Sequence, residues 1–339
     1  MRAASDQVVE YEPLFDSFGR KHTSLRIGVT DRCNIRCFYC MPLENVQFQP
    51  RSEILSFEEI ERFARIMVGA GVNKFRITGG EPLVRSDLPL LIQQLAQIPN
   101  VVDLAMTTNG MLLAQHAADL KKAGLQRLNI SLDTLNEATF QKISRRTGLH
   151  QILNGIAEAQ RIGFRQIRLN AVAIAGITEE EIVPLGRFAK EQKLELRFIE
   201  YMPLDADGQW DDSQVLSGQQ IRQTLEAEFG SLVPSPRTDA SQPAVDYHFA
   251  DGGVVGFINP VTQPFCQTCN RLRLTADGKV RNCLFSEIEW DVRSLLRNNA
   301  SDEDIMELVR DCVWHKKPGH GIDSDEFRRP ERAMYQIGG

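Results

Sequence analysis

Ser24-Leu25-Arg26-Ile27-Gly28-Val29-Thr30, followed shortly by Cys33-Asn34-Ile35-Arg36-Cys37-Phe38-Tyr39-Cys40, is the stretch on which the fold turns. The first seven residues read as a β-strand, and the cysteines begin just past its end, on the loop where βα folds place their chemistry. Five further β-rich runs follow at 74–78, 101–107, 127–133, 166–174 and 194–202, separated by amphipathic helical patterns. Ser56-Phe57-Glu58-Glu59 is a capping box opening a helix to about Val68, closed by Gly71, and the helical pattern over 112–123 stops at Gly124. Such alternation predicts parallel strands joined by right-handed helical crossovers. Six units predict an α/β fold, a partial, open, TIM-like (βα) barrel.

Parallel strands covered on both faces read as nearly continuous Val, Ile and Leu. Several strands here do not. Arg26 and Thr30, Arg76 and Thr78, Asn129, Ser131 and Asp133, Arg168 and Asn170, and Glu195 and Arg197 fall on alternating positions, so one face of the sheet is polar. A merely solvated outer face is the bland reading, and covering helices argue against it. Burying an unpaired arginine costs on the order of several kcal/mol, so arginines inside a barrel predict an anionic ligand there.

Beyond Pro203 the pattern changes. Residues 217–229 form a further helix with its own capping box from Ser217 to Gln220, and 230–244, with Pro234, Pro236 and Pro243, read as a loop or linker. Hairpin-like runs follow over 246–258 around Gly252-Gly253 and 272–284 around Asp277-Gly278. Two helices, 291–298 and 302–316, precede a polar tail ending in Gly338-Gly339. The expected organisation is an N-terminal extension (1–23), the barrel (24–229) and a C-terminal extension of hairpins and helices (230–339). The length of 339 residues fits about two domains, or a barrel with an appendage.

Hydrophobic residues make up 42% and charged residues 25% of the chain, which excludes disordered, collagen-like and coiled-coil classes. The richest apolar stretches, such as 101–106, fall far short of the roughly 18 residues a bilayer helix needs. Residues 1–23 contain no apolar signal-peptide segment, so the expected location is cytoplasmic, with no membrane partner. Lys plus Arg number 39 against 45 Asp plus Glu, a net charge of -6. Nucleic-acid binders show a basic excess; no nucleic-acid partner is expected, and an anion must meet a local positive cluster.

The seven cysteines are informative through their placement. An odd count without an export signal argues against a disulfide framework. Cys33, Cys37 and Cys40 can hold three irons of a [4Fe-4S] cube, which normally has four cysteine ligands, leaving one iron open. Zinc is the alternative, but no nearby His or Cys completes its tetrahedral set. Cys266, Cys269 and Cys283 are again three thiols without a fourth. Cys312 reads as a small hydrophobe on a core helix, and the six histidines show no metal-ligand spacing.

The Cx3Cx2C loop after a first strand, with Gly79-Gly80-Glu81-Pro82 after the second, resembles the radical S-adenosylmethionine (SAM) superfamily. The full pattern adds a C-terminal Cx2Cx13C, Arg271-Leu272-Arg273 and a terminal Gly-Gly. From about Asp16 to Gly339 the chain so resembles the GTP 3′,8-cyclase family of molybdenum-cofactor biosynthesis, whose members are lyases. The resemblance implies two [4Fe-4S] clusters, one on Cys33, Cys37 and Cys40 and one on Cys266, Cys269 and Cys283. It implies SAM on the open iron of the first, contacted by Tyr39, Gly80, Ser131 and Met202. Reductive SAM cleavage then yields a 5′-deoxyadenosyl radical that abstracts hydrogen from C3′ of GTP. The C3′ radical closes onto C8 of guanine, giving (8S)-3′,8-cyclo-7,8-dihydroguanosine triphosphate.

Matching family positions place Arg26, Arg76, Thr107, Arg168, Arg271, Leu272 and Arg273 against GTP, with Arg271, Arg273 and Arg168 as catalytic residues. The family commonly has Lys at 168 and Cys where this chain has Ala171, so the reach of the contact at 168 differs. The second cluster would anchor guanine, and Gly338-Gly339 would bend into the active site. The implied partners are GTP, a downstream cyclic pyranopterin monophosphate synthase and an electron donor the sequence does not identify; a homodimer is left open. Two other readings stand beside this one: a peptide-modifying radical SAM enzyme with an auxiliary cluster, and a zinc-stabilised binding module without catalysis.

Overall fold

A computed structural model describes residues 8–322, 324, 325 and 327–338. The barrel elements, in chain order, are β1 (Ser24–Gly28), α1 (Phe57–Gly69), β2 (Lys74–Thr78), α2 (Leu88–Ala96), β3 (Asp103–Thr108), α3 (Leu113–Lys122), β4 (Arg127–Ser131), α4 (Glu137–Ser144), α5 (Leu149–Ile162), β5 (Gln166–Ala173), α6 (Ile182–Glu191) and β6 (Glu195–Glu200). There follow α7 (Gly218–Phe229), β7 (Val233–Pro234), β8 (Val245–His248), β9 (Val254–Ile258), β10 (Arg271–Leu274), β11 (Lys279–Arg281), β12 (Trp290–Asp291), α8 (Val292–Arg297), α9 (Asp302–Trp314) and α10 (Met334–Ile337). Strands β1 to β6 lie side by side in sequence order, each parallel to the next. The sheet stays open, as the six-unit pattern predicts.

Local signals explain why these segments take these forms. At the start of α1 the Ser56 hydroxyl accepts from the Glu59 amide at 3.2 Å, and the Glu59 carboxylate accepts from the Ser56 amide at 2.7 Å; the box at Ser217 and Gln220 starts α7 in the same way. Leu25, Ile27, Phe75, Ile77, Leu104, Met106, Leu128, Ile130 and Leu169 alternate along their strands and are buried with Phe63, Leu91, Leu120 and Ile156 of the covering helices. That apolar face decides which residues point the other way. Cys312 is wholly buried on α9.

The sequence pattern sets the C-terminal hairpins apart from the barrel. In the structure they extend its sheet at both edges, in the order β12-β11-β10-β1-β2-β3-β4-β5-β6-β9-β8-β7. β10 runs parallel to β1, and β9 parallel to β6. An open sheet leaves unpaired N–H and C=O groups along its edges; these two strands satisfy them. The link could not be read locally, because β10 meets a strand almost 250 residues earlier in the chain. Residues 230–244 are mostly irregular, with Val233–Pro234 pairing antiparallel to β8. No helix among the described residues is long and apolar enough to cross a membrane.

Leu272 lies between two arginines on β10, yet is 0% exposed in the core. Leu272→Ala should therefore lower unfolding free energy by about 2–5 kcal/mol, measured by urea denaturation; a loss near zero would place its side chain outside the core.

Candidate functional site

The strand pleat sends alternate residues of β1 to β6 away from the helices. Register places Arg26 directly beside Arg76 on β2 and Arg273 on β10, so three guanidinium groups stand on three adjacent parallel strands. Among the described residues, Arg26 and Arg76 have no hydrogen bond or ion pair, and Arg273 donates only to the Gly338 carbonyl oxygen. Burial first, and then the neighbouring arginines, hold all three below the usual guanidinium range, Arg273 at about 9. Like charges withdrawn from water lose hydration and repel one another, and an anion relieves both penalties.

Other arginines on this face already have acidic partners. Arg197 donates to Asp246 at 3.2 Å, and Arg168 is paired with Glu195. Both line a smaller adjoining cavity of about 110 Å³ together with Lys74 and Arg127.

Cys33, Cys37 and Cys40 are free thiols on the wall of a cavity of about 200 Å³. Their loop is held backbone to backbone. The Gly80 amide donates to the Thr30 carbonyl at 2.7 Å, and the Glu81 amide to the Arg32 carbonyl at 2.8 Å. A Cβ on Gly80 would lie 2.3 Å from the Arg32 carbonyl oxygen, and one on Gly79 equally close to that of Thr30. Gly79 also has φ +146°, so both positions demand glycine.

Buried carboxylates complete this wall. Glu81 accepts from the Thr108 hydroxyl at 2.7 Å and the Asn109 and Leu83 amides at 2.6 and 3.0 Å, though burial still raises it to about 7. The Asn109 side-chain amide donates to Asn34 Oδ1 at 2.7 Å and reaches Cys33 Sγ at 3.7 Å. The Tyr39 hydroxyl donates to Asp133 at 2.7 Å, and Asp133 also accepts from the Val172 amide at 2.8 Å; burial raises its carboxyl to about 6. Burial and then Glu81 push the Cys33 thiol up to about 11. Cys37 and Cys40 are also raised, first by burial. Thiols so disfavoured as thiolates ionise when they bind a cationic metal centre.

The second set is built differently. Cys266 and Cys269 bracket a tight turn ahead of β10, Cys283 follows β11, and all three line a cavity of about 200 Å³ with Arg26, Arg76, Arg271 and Arg273. Against the upward effect of burial, the charges of Arg271 and Lys316 and the Arg271 Nε bond at 3.4 Å bring Cys269 down to about 6. Behind the loop, Arg20 donates to Asp16 at 2.6 Å and to the carbonyls of Cys266 and Lys317, each at 2.8 Å. Buried His22 lies 3.1 Å from the same Asp16 carboxylate. Among the described residues no three His, Cys, Asp or Glu side chains are placed to hold a single metal ion. Thiols set along a wall suit a cube, which takes each thiolate on a different iron, better than one tetrahedral ion.

The two cavities adjoin: Thr107, Asn170, Val172, Ile199, Met202 and Met334 line both. α10 lies across the junction: Tyr335 packs with Met41 beside Cys33 and Cys40, and Ile337 packs with Phe285 beside Cys283. Gly338 is buried with φ +84°, its carbonyl accepting from Arg273. Gly339 lies outside the described residues.

Residues 27–189 match the radical SAM superfamily, and 194–322 match the family described as Molybdenum Cofactor Synthesis C. A GTP 3′,8-cyclase of Rhodopirellula baltica is 54% identical over 330 residues, covering 96% of this chain and 92% of that protein. The chain belongs to the GTP 3′,8-cyclase family. A GTP 3′,8-cyclase of Paenarthrobacter nicotinovorans is 42% identical over 344 residues, 96% and 97% of the two chains. The crystal structure of Streptococcus suis SuiB shares the fold at a TM-score of 0.64 and 15% identity, over 93% of this chain and 77% of that one. As a radical SAM enzyme, this GTP 3′,8-cyclase family member takes SAM and a [4Fe-4S] cluster as cofactors.

Most of the residues singled out in the sequence come together. Tyr39, Gly80, Ser131 and Met202 line the cavity of the first thiol set. Arg26, Arg76, Thr107, Arg271 and Arg273 line that of the second. Arg168 lines the adjoining cavity, which Arg26, Arg76 and Arg271 line as well, whereas the Leu272 side chain is in the core because it takes the opposite pleat position from its neighbours. Sequence reasoning passed over Asn109 and gave no role to Glu81 or Asp133. Asn109 and Asp133 each lie at or just past the C-terminal end of a barrel strand, the position where such folds place chemistry, and that signal was available.

Burial, and then the charge of Lys316, lower His22 from its ordinary 6.5 to about 4. Between those values the unfolded chain binds a proton that the folded chain does not, so stability falls as pH drops through the window. Urea denaturation at pH 7 and pH 5 should show this loss, with His22→Gln flattening the slope; an unchanged slope in the variant would remove His22 as its source.

Proposed function

We infer that this chain is a radical SAM GTP 3′,8-cyclase of molybdenum-cofactor synthesis, a lyase joining C3′ of the GTP ribose to C8 of guanine. The observation that carries this reading is the row Arg273, Arg26 and Arg76, without carboxylate partners among the described residues, lining a cavity that shares six of its residues with that of Cys33, Cys37 and Cys40. The three N-terminal thiols are assigned the [4Fe-4S] cluster, with SAM against Tyr39, Gly80, Ser131 and Met202. Together these cofactors supply, when bound, a carbon radical able to take hydrogen from the substrate ribose.

The protein's part is placement and shielding. A triphosphate carries about four negative charges, and each charge-assisted hydrogen bond to an arginine contributes roughly 1.5 to 3 kcal/mol. Arg26, Arg76 and Arg273 are the groups for it, and their mutual repulsion falls as it binds. Arg271 is held at Cys269 and over the Phe265 ring at 4.9 Å, which orients it toward the nucleotide. Cys266, Cys269 and Cys283 are assigned a second [4Fe-4S] cluster at the guanine end. With guanine held at one thiol set and C3′ turned toward the other, the reacting carbons need little further motion. Val172, Ile199 and Met202 line the junction and limit water there. Arg168 takes part by exchanging Glu195 for phosphate, and Leu272 contributes its backbone alone. The product passes to the synthase that forms cyclic pyranopterin monophosphate, and a separate donor supplies the electron; the reading places this chemistry in the cytoplasm.

Anaerobic incubation with SAM, GTP and dithionite should yield 5′-deoxyadenosine together with a cyclised nucleotide; 5′-deoxyadenosine without any cyclised nucleotide would overturn the assignment of GTP. Cys283→Ala should lose one EPR signal and cyclisation while SAM cleavage persists. Arg76→Ala, losing one such bond, should raise the KM for GTP about 10- to 100-fold in the same assay.

A further inference from the structure

Lys316 follows α9 and is 4% exposed. Its ammonium donates to the carbonyl oxygen of Arg271 at 3.1 Å and to that of Asn282. Arg271 stands two residues after Cys269, and Asn282 immediately precedes Cys283, so one buried cation joins the two halves of the second cysteine set from behind. Among the described residues it makes no ion pair. The nearby Asp16 is already engaged by Arg20 and His22. Two carbonyl dipoles take two of the three ammonium protons but leave its charge uncompensated, and a full charge out of water requires a counter-charge.

We propose that Lys316 is the counter-charge of the iron–sulfur cluster assigned to Cys266, Cys269 and Cys283, a positioning residue that sets this cluster's potential from behind its ligand loop. This rests on the two-cluster reading above. A cube in its oxidised resting state with three thiolates is a net anion, and one-electron reduction adds a further negative charge. A fixed positive charge at the ligand loop favours the reduced form, and removing it makes reduction harder. The first thiol set provides the contrast: its close charged neighbours are the carboxylates of Glu81 and Asp133 as well as Arg36. Lys316 acts on the protein side of the second set, where Arg271 acts on the chamber side.

The test is EPR-monitored potentiometry of the full, anaerobically reconstituted protein, with Cys283→Ala identifying the second cluster's signal. Lys316→Gln keeps hydrogen-bond donors without the charge, Lys316→Met keeps neither, and Lys316→Arg keeps both. The Gln and Met variants should shift the second cluster's midpoint to more negative potential, or lose that cluster's iron alone, with the first cluster unmoved and the Arg variant close to the parent. A Gln variant at the parental potential with full iron, an Arg variant as impaired as Met, or an equal shift of both clusters would overturn the proposal. A parent protein with one cluster signal would instead overturn the two-cluster reading, before any Lys316 variant is measured.

Discussion

Arg26, Arg76 and Arg273 stand side by side because three parallel strands place the same pleat position in the same row. The row cannot disperse on its own. On the opposite face of the same strands Leu25, Ile27, Phe75, Ile77, Leu272 and Leu274 are packed without exposure or nearly so, and a one-residue slip would exchange the two faces. The apolar core therefore enforces an electrostatic arrangement that is unfavourable by itself. Sites that must bind commonly give up stability in this way.

The same edge pairing that completes the sheet also assembles the chamber. β10 satisfies the open backbone groups of β1, and in doing so carries Arg271, Arg273 and the preceding cysteine pair to the barrel mouth. The far edge is closed by β9 through the same kind of bond. Short α10 then fills the space between the two thiol walls, with Tyr335 toward one and Ile337 toward the other. Strand pairing, rather than a dedicated binding loop, sets the geometry of the second wall relative to the first.

The two walls differ electrically. Around Cys33, Cys37 and Cys40, burial and the carboxylates of Glu81 and Asp133 disfavour thiolate, whereas at Cys269 the charges of Arg271 and Lys316 outweigh burial. Cluster potentials respond to net charge, hydrogen bonds to sulfur and solvent exposure. Similar cysteine triplets thus sit in opposite fields, one built on backbone docking at Gly79 and Gly80, the other on buried cations.

Much was legible in the residues alone. Period-two alternation marked the polar strand face, capping boxes at Ser56 and Ser217 marked helix starts, and cysteine spacing marked both thiol sets, because each is a local pattern whose physics acts within a few residues. Tertiary structure decided the rest. It took Leu272 out of the site by pleat parity, paired Arg168 with Glu195, attached the hairpins to both sheet edges and buried Lys316 behind Cys269. Those outcomes depend on hydrogen-bond register and desolvation between segments far apart in the chain, quantities that exist only once the strands have paired.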